Sequence, residues 1–182
     1  MLRLRNARYA LAATLVTSVG SGMYVLILGQ LLYQFTGSTL AFGAVFMMRY
    51  ALDLISQAVS GPFVDRGNPR TVCIAGDALR GICILAVSPL LSASAIMGSV
   101  AFVTFVLGTV KPFYRAAMFA LGPKVAEDHL ETYNYYFNTF TQLGQLVGVA
   151  LAAPVLRYLS PPVACAANGV SYLLSALFIH MI

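Results

Sequence analysis

Apolar stretches of about twenty residues recur along this chain, each closed by a short polar or Pro/Gly-bearing connector. A helix needs about 20 apolar residues to cross the ~30 Å hydrocarbon layer of a bilayer. The pattern fits six of them, at 9–35, 40–60, 71–91, 96–121, 133–156 and 163–182. In 182 residues those segments leave only connectors, with no room for a separate water-soluble catalytic domain. Charged residues make up 9% of the chain, against roughly a quarter in soluble domains. The expected fold class is therefore an all-α integral membrane protein, one bundle of six transmembrane helices over residues 1–182. The first apolar run, Tyr9 to Tyr33, is too long for the core of a secretory signal and reads as a retained helix.

The connectors carry their own signals. Thr36-Gly37-Ser38-Thr39, Gly61-Pro62, Ser92-Ala93-Ser94, the polar run Lys124 to Glu131 and Ser160-Pro161-Pro162 close successive segments, while Pro112 falls inside the fourth, where it is expected to bend the helix. Cytoplasmic loops of membrane proteins hold an excess of Lys and Arg. Arg3, Arg5, Arg8, Arg66, Arg70 and Lys124 all fall on one side of a six-span chain, and Arg157 on the other. This predicts a multi-pass protein of the plasma (inner) membrane with both termini in the cytoplasm.

Several function classes are excluded or disfavoured. The net charge of +5 comes from scattered Lys and Arg, several inside apolar runs, so nucleic acid is not an expected partner. Cys73, Cys83 and Cys165 are too far apart for a disulfide framework or metal site and read as small core residues; His129 and His180 stand alone. No clustered nucleophile, base or metal set suggests an enzyme, and no phosphate-binding loop suggests ATP coupling. No cofactor is expected.

What remains is a set of charges inside the apolar segments. Each costs about 2.5–3.5 kcal/mol at a helix centre on insertion scales, so each needs a partner or a role. Arg49 and Asp53 are four residues apart, on one helix face, with Gln57 continuing it. They read either as a mutually neutralising ion pair or, for Asp53, as a proton-carrying carboxylate. Asp77 and Arg80, three apart near the start of the third segment and expected close to the loop before it, read as structural. Thr104, Gly108, Lys111 and Arg115 form one stripe that is cationic in its second half. Arg115 is expected to pair with Asp77 or Asp65. Thr14, Thr17, Ser18, Ser21 and Tyr24 line one face of the first segment, beside Gly20 and Gly22, as a pathway lining or as hydroxyl glue between helices. Asn134, Asn138, Gln142 and Gln145 form an amide stripe that must face protein or water, with Gly144 and Gly148 permitting close backbone approach.

The segment Gly61-Pro62-Phe63-Val64-Asp65-Arg66-Gly67-Asn68-Pro69-Arg70 resembles the G-x-x-x-D-R-x-G-R signature of the major facilitator superfamily, with Gly61, Asp65, Arg66 and Arg70 matching. Asn68-Pro69 stands where a glycine is usual, so the turn is expected from Gly67 and Pro69. Pro112-Phe113-Tyr114-Arg115-Ala116-Ala117, Leu121-Gly122-Pro123 and the amide stripe look like the branch of enterobactin exporters and macrolide efflux pumps. The resemblance covers essentially the whole chain, but only the N-terminal six-helix half of a twelve-span fold. It implies alternating access and proton-coupled export of a medium-sized amphiphilic or anionic molecule, drug-like or siderophore-like. It also implies a cavity lined by the first and fourth helices, where Lys111 alone or Lys111 with Arg115 would meet an anionic or catecholate-like cargo, and the gating set Gly61, Asp65, Arg66, Arg70, Asp77, Arg80 and Arg115. Asp65 would face a helix N-terminus of the other half. Substrate candidates are Thr17, Ser21, Tyr24, Lys111, Asn138 and Gln142, and proton-coupling candidates are Asp53 and Arg49. Half a fold holds half a site. The chain then works as a homodimer of half-transporters, or it is a fragment of a longer chain or an N-terminal half that needs a separate C-terminal half; the stop at His180-Met181-Ile182 without a basic anchor fits the fragment. A non-transporting membrane assembly partner is the remaining alternative.

Overall fold

The computed structural model describes residues 5–91 and 96–182, with only the backbone of residue 96. Arg3 and the Ser92-Ala93-Ser94 turn lie outside the described residues. Six α-helices account for nearly everything else: α1 Arg5–Thr36, α2 Thr39–Asp65, α3 Pro69–Val87, α4 Ile96–Ala126, α5 Leu130–Tyr158 and α6 Pro161–His180. No strand occurs among the described residues. Five helical stretches are long and apolar enough to cross a membrane, one of them being Met97–Tyr158, which joins α4 and α5 through the 3-10 turn Glu127–His129. That stretch folds back on itself. The rings of Phe119 and Phe137 sit 5.1 Å apart, whereas an uninterrupted helix would separate those positions by about 27 Å.

Two apolar clusters show that successive helices alternate in direction. One gathers the start of α1 (Ala7, Ala10), the end of α2 (Val64), the start of α3 (Cys73), the end of α4 (Val125), the start of α5 (Tyr133) and the end of α6 (Ile179). The other gathers the opposite ends, among them Leu31, Val45, Ile84, Val100, Ala152 and Cys165.

Prolines set several helix ends differently from the expectation. Pro62 does not stop α2, which runs to Asp65; one lost backbone bond three residues from the end is tolerated. Likewise α4 continues past Leu121 through Pro123 to Ala126. By contrast α3 stops at Val87, short of Leu91, and passes into a 3-10 turn at Ser88–Leu90, because the Pro89 ring opposes the Leu85 carbonyl. Pro161 and Pro162 fill the first turn of α6, so it begins earlier than Val163 and ends at His180. The ends of α1 and α5 reach beyond 9–35 and 133–156. Gly67 lies in the turn between α2 and α3, its amide donating to the Val64 carbonyl at 3.1 Å, without the positive φ that Gly37 adopts. After it Asn68 caps α3 by accepting from the Arg70 amide at 3.1 Å, and Pro69 occupies the first turn.

Packing is glycine-mediated. α1 lies at the centre, with its closest neighbours α5 and α6, while α3 packs on α6 and α2 on α4. A Cβ on Gly148 would overlap the Val19 carbonyl oxygen, one on Gly22 the Gln145 carbonyl oxygen, and one on Gly81 would lie 2.9 Å from the Gly169 carbonyl oxygen. Lipid offers helices no hydrophobic reason to associate, so close backbone contact through small residues supplies the attraction. α2 sits at the periphery, with only Val45, Ser56, Ser60 and Val64 buried; Met47 is 76% exposed and Leu54 70%. Such apolar surface belongs against lipid or another protein.

Gly148→Val is expected to separate α1 from α5 and destabilise the bundle by about 1–3 kcal/mol. Gly43→Ala, at a position with no neighbour within 4 Å, leaves thermal unfolding in detergent unchanged. Equal melting temperatures for the two variants would contradict this packing.

Candidate functional site

The polar stripes of α1 and α5 and the charged residues of α2 and α4 meet in one cavity of about 440 Å³. It lies near mid-height. Thr17 falls in the middle of α1, Asp53 of α2, Lys111 of α4 and Gln142 of α5. Of the candidates read from the sequence, Thr17, Ser21, Arg49, Asp53, Lys111, Arg115, Asn138 and Gln142 line this cavity, and Arg80 forms part of its floor. Arg115, Asn138 and Gln142 are exposed, so the cavity opens on the surface of the bundle.

The charges pair differently from the expectation. Asp53 pairs not with Arg49 but with Lys111 across the α2–α4 contact, at 3.8 Å. The cause is a close crossing: a Cβ on Gly108 would lie 3.1 Å from the Leu52 Cβ and 3.2 Å from the Arg49 carbonyl oxygen. That seats Lys111, one turn beyond Gly108, beside Asp53, the neighbour of Leu52. An Arg four residues before an Asp is also the weaker orientation of an intrahelical pair. Arg49 keeps a buried Nη1 with no hydrogen-bond partner among the described residues.

Arg115 pairs with neither Asp77 nor Asp65; it lies 5.8 Å from the Phe119 ring centre and faces the cavity. Asp77 is unavailable because Arg80 and Ser175 hold it, the latter by a 2.5 Å hydrogen bond. Both members of the Asp77–Arg80 pair are buried. The Arg80 guanidinium is stacked between Tyr114 and Tyr172, 4.5 Å from each ring centre, and donates from Nε to the Gly76 carbonyl at 3.2 Å. This pair sits under the cavity rather than beside the α2–α3 turn. Eight residues of helix lift Asp77 about 12 Å above the start of α3.

Other candidates fall elsewhere. Tyr24 is 4% exposed and belongs to the apolar cluster with Leu28 and Leu31, outside the cavity. Thr104 is buried outside it, and Gly108 serves the α2–α4 contact, so the α4 stripe divides. Gly61, Asp65 and Arg66 lie at the end of α2, with Asp65 and Arg66 exposed. Arg70 caps α6, donating from Nε to the Ile179 carbonyl at 3.3 Å and from Nη2 to the His180 carbonyl, a favourable placement for a cation at a helix C-terminus. The α1 hydroxyls combine both expected roles. Thr17 and Ser21 line the cavity, while Ser18 also packs on Gly144, and Ser21 Oγ lies 2.8 Å from Tyr172 Oη.

Sequence reasoning missed the polar face of α6. Asn168, Tyr172 and Ser175 recur at three to four residue spacing, the same signal that marked α1 and α5, and all three are buried. Among the described residues no group of His, Cys, Asp or Glu could hold a metal, and the three cysteines are free. Chemically the cavity offers Arg49, Lys111 and Arg115 against the one carboxylate of Asp53, beside amides, hydroxyls and the rings of Phe46, Tyr50 and Phe137. Neither a protein-family model, nor a curated protein, nor a solved structure matches this chain.

The two ion pairs differ in environment, and so in what their loss should do. Asp77→Asn uncouples a fully buried pair and is expected to cost about 3 kcal/mol or more. Asp53→Asn removes a pair whose side chains are 29% and 40% exposed, and so costs about 1 kcal/mol or less. Thermal unfolding in detergent distinguishes them, and a larger loss at Asp53 would reverse the assignment.

Proposed function

We propose that this chain is one half of a major facilitator-type transporter, with six transmembrane helices, moving a medium-sized amphiphilic or anionic molecule by alternating access. The observation that carries the reading is the cavity: charges, amides and hydroxyls from four helices converge at mid-height in a bundle whose outside is apolar. Groups of this kind face a bundle interior or water, and mark solute and ion pathways. Because Arg115, Asn138 and Gln142 are exposed on the cavity side, a second bundle covers that face, either a second copy of the chain or a complementary six-helix half. The cavity then lies between two bundles that rock about it.

The same end of the bundle carries Arg5, Arg8, Arg66, Arg70 and Lys124, while Arg157 sits at the other. By the positive-inside rule that end, with both helical termini, is cytoplasmic in the plasma membrane. Asp65, exposed at the end of α2, acts as the conformational latch, its carboxylate facing a helix N-terminus of the second bundle. Asp53, the carboxylate in the cavity, couples transport to protons.

The test is flux into proteoliposomes carrying a pH dye, under an imposed pH gradient, across a panel of amphiphilic drugs and catechol-bearing anions. Protein-dependent proton movement with one or more compounds is expected. Asp53→Asn should abolish the coupling, and Asp65→Asn should slow turnover about tenfold or more with stability within about 0.5 kcal/mol of the parent. No protein-dependent flux across the panel contradicts the transport reading, and unchanged coupling in Asp53→Asn removes its proposed role.

A further inference from the structure

The cations around the cavity are not equivalent. Arg80 is closed off: Asp77 neutralises it, the Gly76 carbonyl accepts from Nε, and two tyrosine rings cover its faces. Arg49 and Lys111 are open. Arg49 Nη1 has no hydrogen-bond partner among the described residues although the atom is buried, and such donors are almost always satisfied. Lys111 has one acidic partner, Asp53, at 3.8 Å, well beyond the ~2.7–2.9 Å of a charge-assisted hydrogen bond. The pair is loose, half-exposed and reaches between two helices. Directly beside it, Phe46 and Tyr50 stand on the α2 face that carries Arg49 and Asp53, and Phe137 on α5.

From this geometry, and resting on the reading of the cavity as a substrate site, we infer that the cavity selects organic anions with an aromatic or apolar body, and that Asp53 is a tethered competitor for them. A ligand carboxylate takes the place of the Asp53 carboxylate at Lys111 and supplies an acceptor to Arg49, while its ring lies against Phe46 and Tyr50. Displacement breaks the polar link between α2 and α4 at mid-height. Occupancy of the site and loosening of α2 are then one event, with the ligand bridging what Asp53 had bridged. Arg80, already neutralised, shapes the floor without binding the anion.

The experiment uses the full chain in lipid nanodiscs, with 1-naphthoate and its neutral isostere 1-naphthamide as probes, binding being read relative to empty discs. The parent is expected to bind the anion at least about tenfold tighter than the amide. Asp53→Asn should tighten naphthoate about fivefold, the worth of a half-exposed ion pair, and leave naphthamide unchanged. Lys111→Gln should weaken naphthoate about tenfold, the worth of a charged hydrogen bond. Should Asp53→Asn not yield folded protein, the charge-balanced double variant Asp53→Asn with Lys111→Gln is measured, and binds naphthoate more weakly than the parent. Equal affinity for the two probes, or weaker or unchanged naphthoate binding in Asp53→Asn, overturns the inference, as does parent-like naphthoate binding in the double variant. Selective anion binding in discs without flux in proteoliposomes contradicts the transport reading alone. Flux of other compounds without naphthoate binding contradicts this inference alone.

Discussion

A charge held at mid-height in an apolar bundle must be either matched or wet. The arrangement of this molecule follows from solving that problem in two ways at once. Under the cavity the solution is matching. Asp77, Arg80, Ser175, Tyr114 and Tyr172 close around one another, with a carboxylate, a guanidinium, a hydroxyl and two ring faces leaving little unsatisfied. Within the cavity the solution is water or ligand. Arg49, Lys111 and Arg115 outnumber Asp53, and the amides of α5 stand opposite them. The first arrangement holds α3, α4 and α6 together; the second leaves room.

The backbone makes this division possible. Gly22, Gly144 and Gly148 bring α1 against α5, Gly20 faces Asn168 and Ser171 of α6, and Gly81 meets Gly169 between α3 and α6. Gly22 and Gly20 lie on nearly opposite sides of α1, toward α5 and α6, and the side between them that carries Thr14, Thr17 and Ser21 is left to the cavity. On the other flank Gly108 lets α2 lie close on α4 and fixes which cation Asp53 meets. Elsewhere α2 is loosely held: most of its large apolar side chains are exposed, and it is the helix on which the half-exposed ion pair acts. A peripheral helix tied by a loose pair beside a ligand-sized space is well placed to move when that space is filled.

How much of this was legible beforehand depends on the range of the interaction. Apolar runs long enough to span a bilayer stand in the sequence directly, and six helices follow from them. Polar spacing of three to four residues correctly gathered Thr17, Ser21, Asn138 and Gln142 onto faces that do meet. Helix ends were misjudged where Pro62, Pro89 and Pro123 stand, because a proline's effect depends on whether the carbonyl one turn back can be spared. Ion-pair partners were misjudged for a deeper reason. Whether Asp53 meets Arg49 or Lys111 depends on the rotation and register of α2 on α4, set by the close crossing at Gly108, and no local spacing encodes that. The same holds for Arg115, whose expected acids were already held or distant, and for Tyr24, whose position on the hydroxyl stripe did not prevent its turning into the apolar cluster. The α6 positions Asn168, Tyr172 and Ser175 carried the usual spacing but no charge, and a search that began from charges passed over them.

The central claim is that the space between α1, α2, α4 and α5 is hydrated in the membrane. Cysteine labelling in native-like bilayers tests it most directly, in a chain whose Cys73, Cys83 and Cys165 are replaced by alanine. The account predicts that Gln142→Cys reacts readily with a charged, membrane-impermeant methanethiosulfonate, while Val147→Cys, turned about 140° away around α5 and 46% exposed on its apolar side, does not. Equal protection of both positions would mean a dry cavity, and would contradict it.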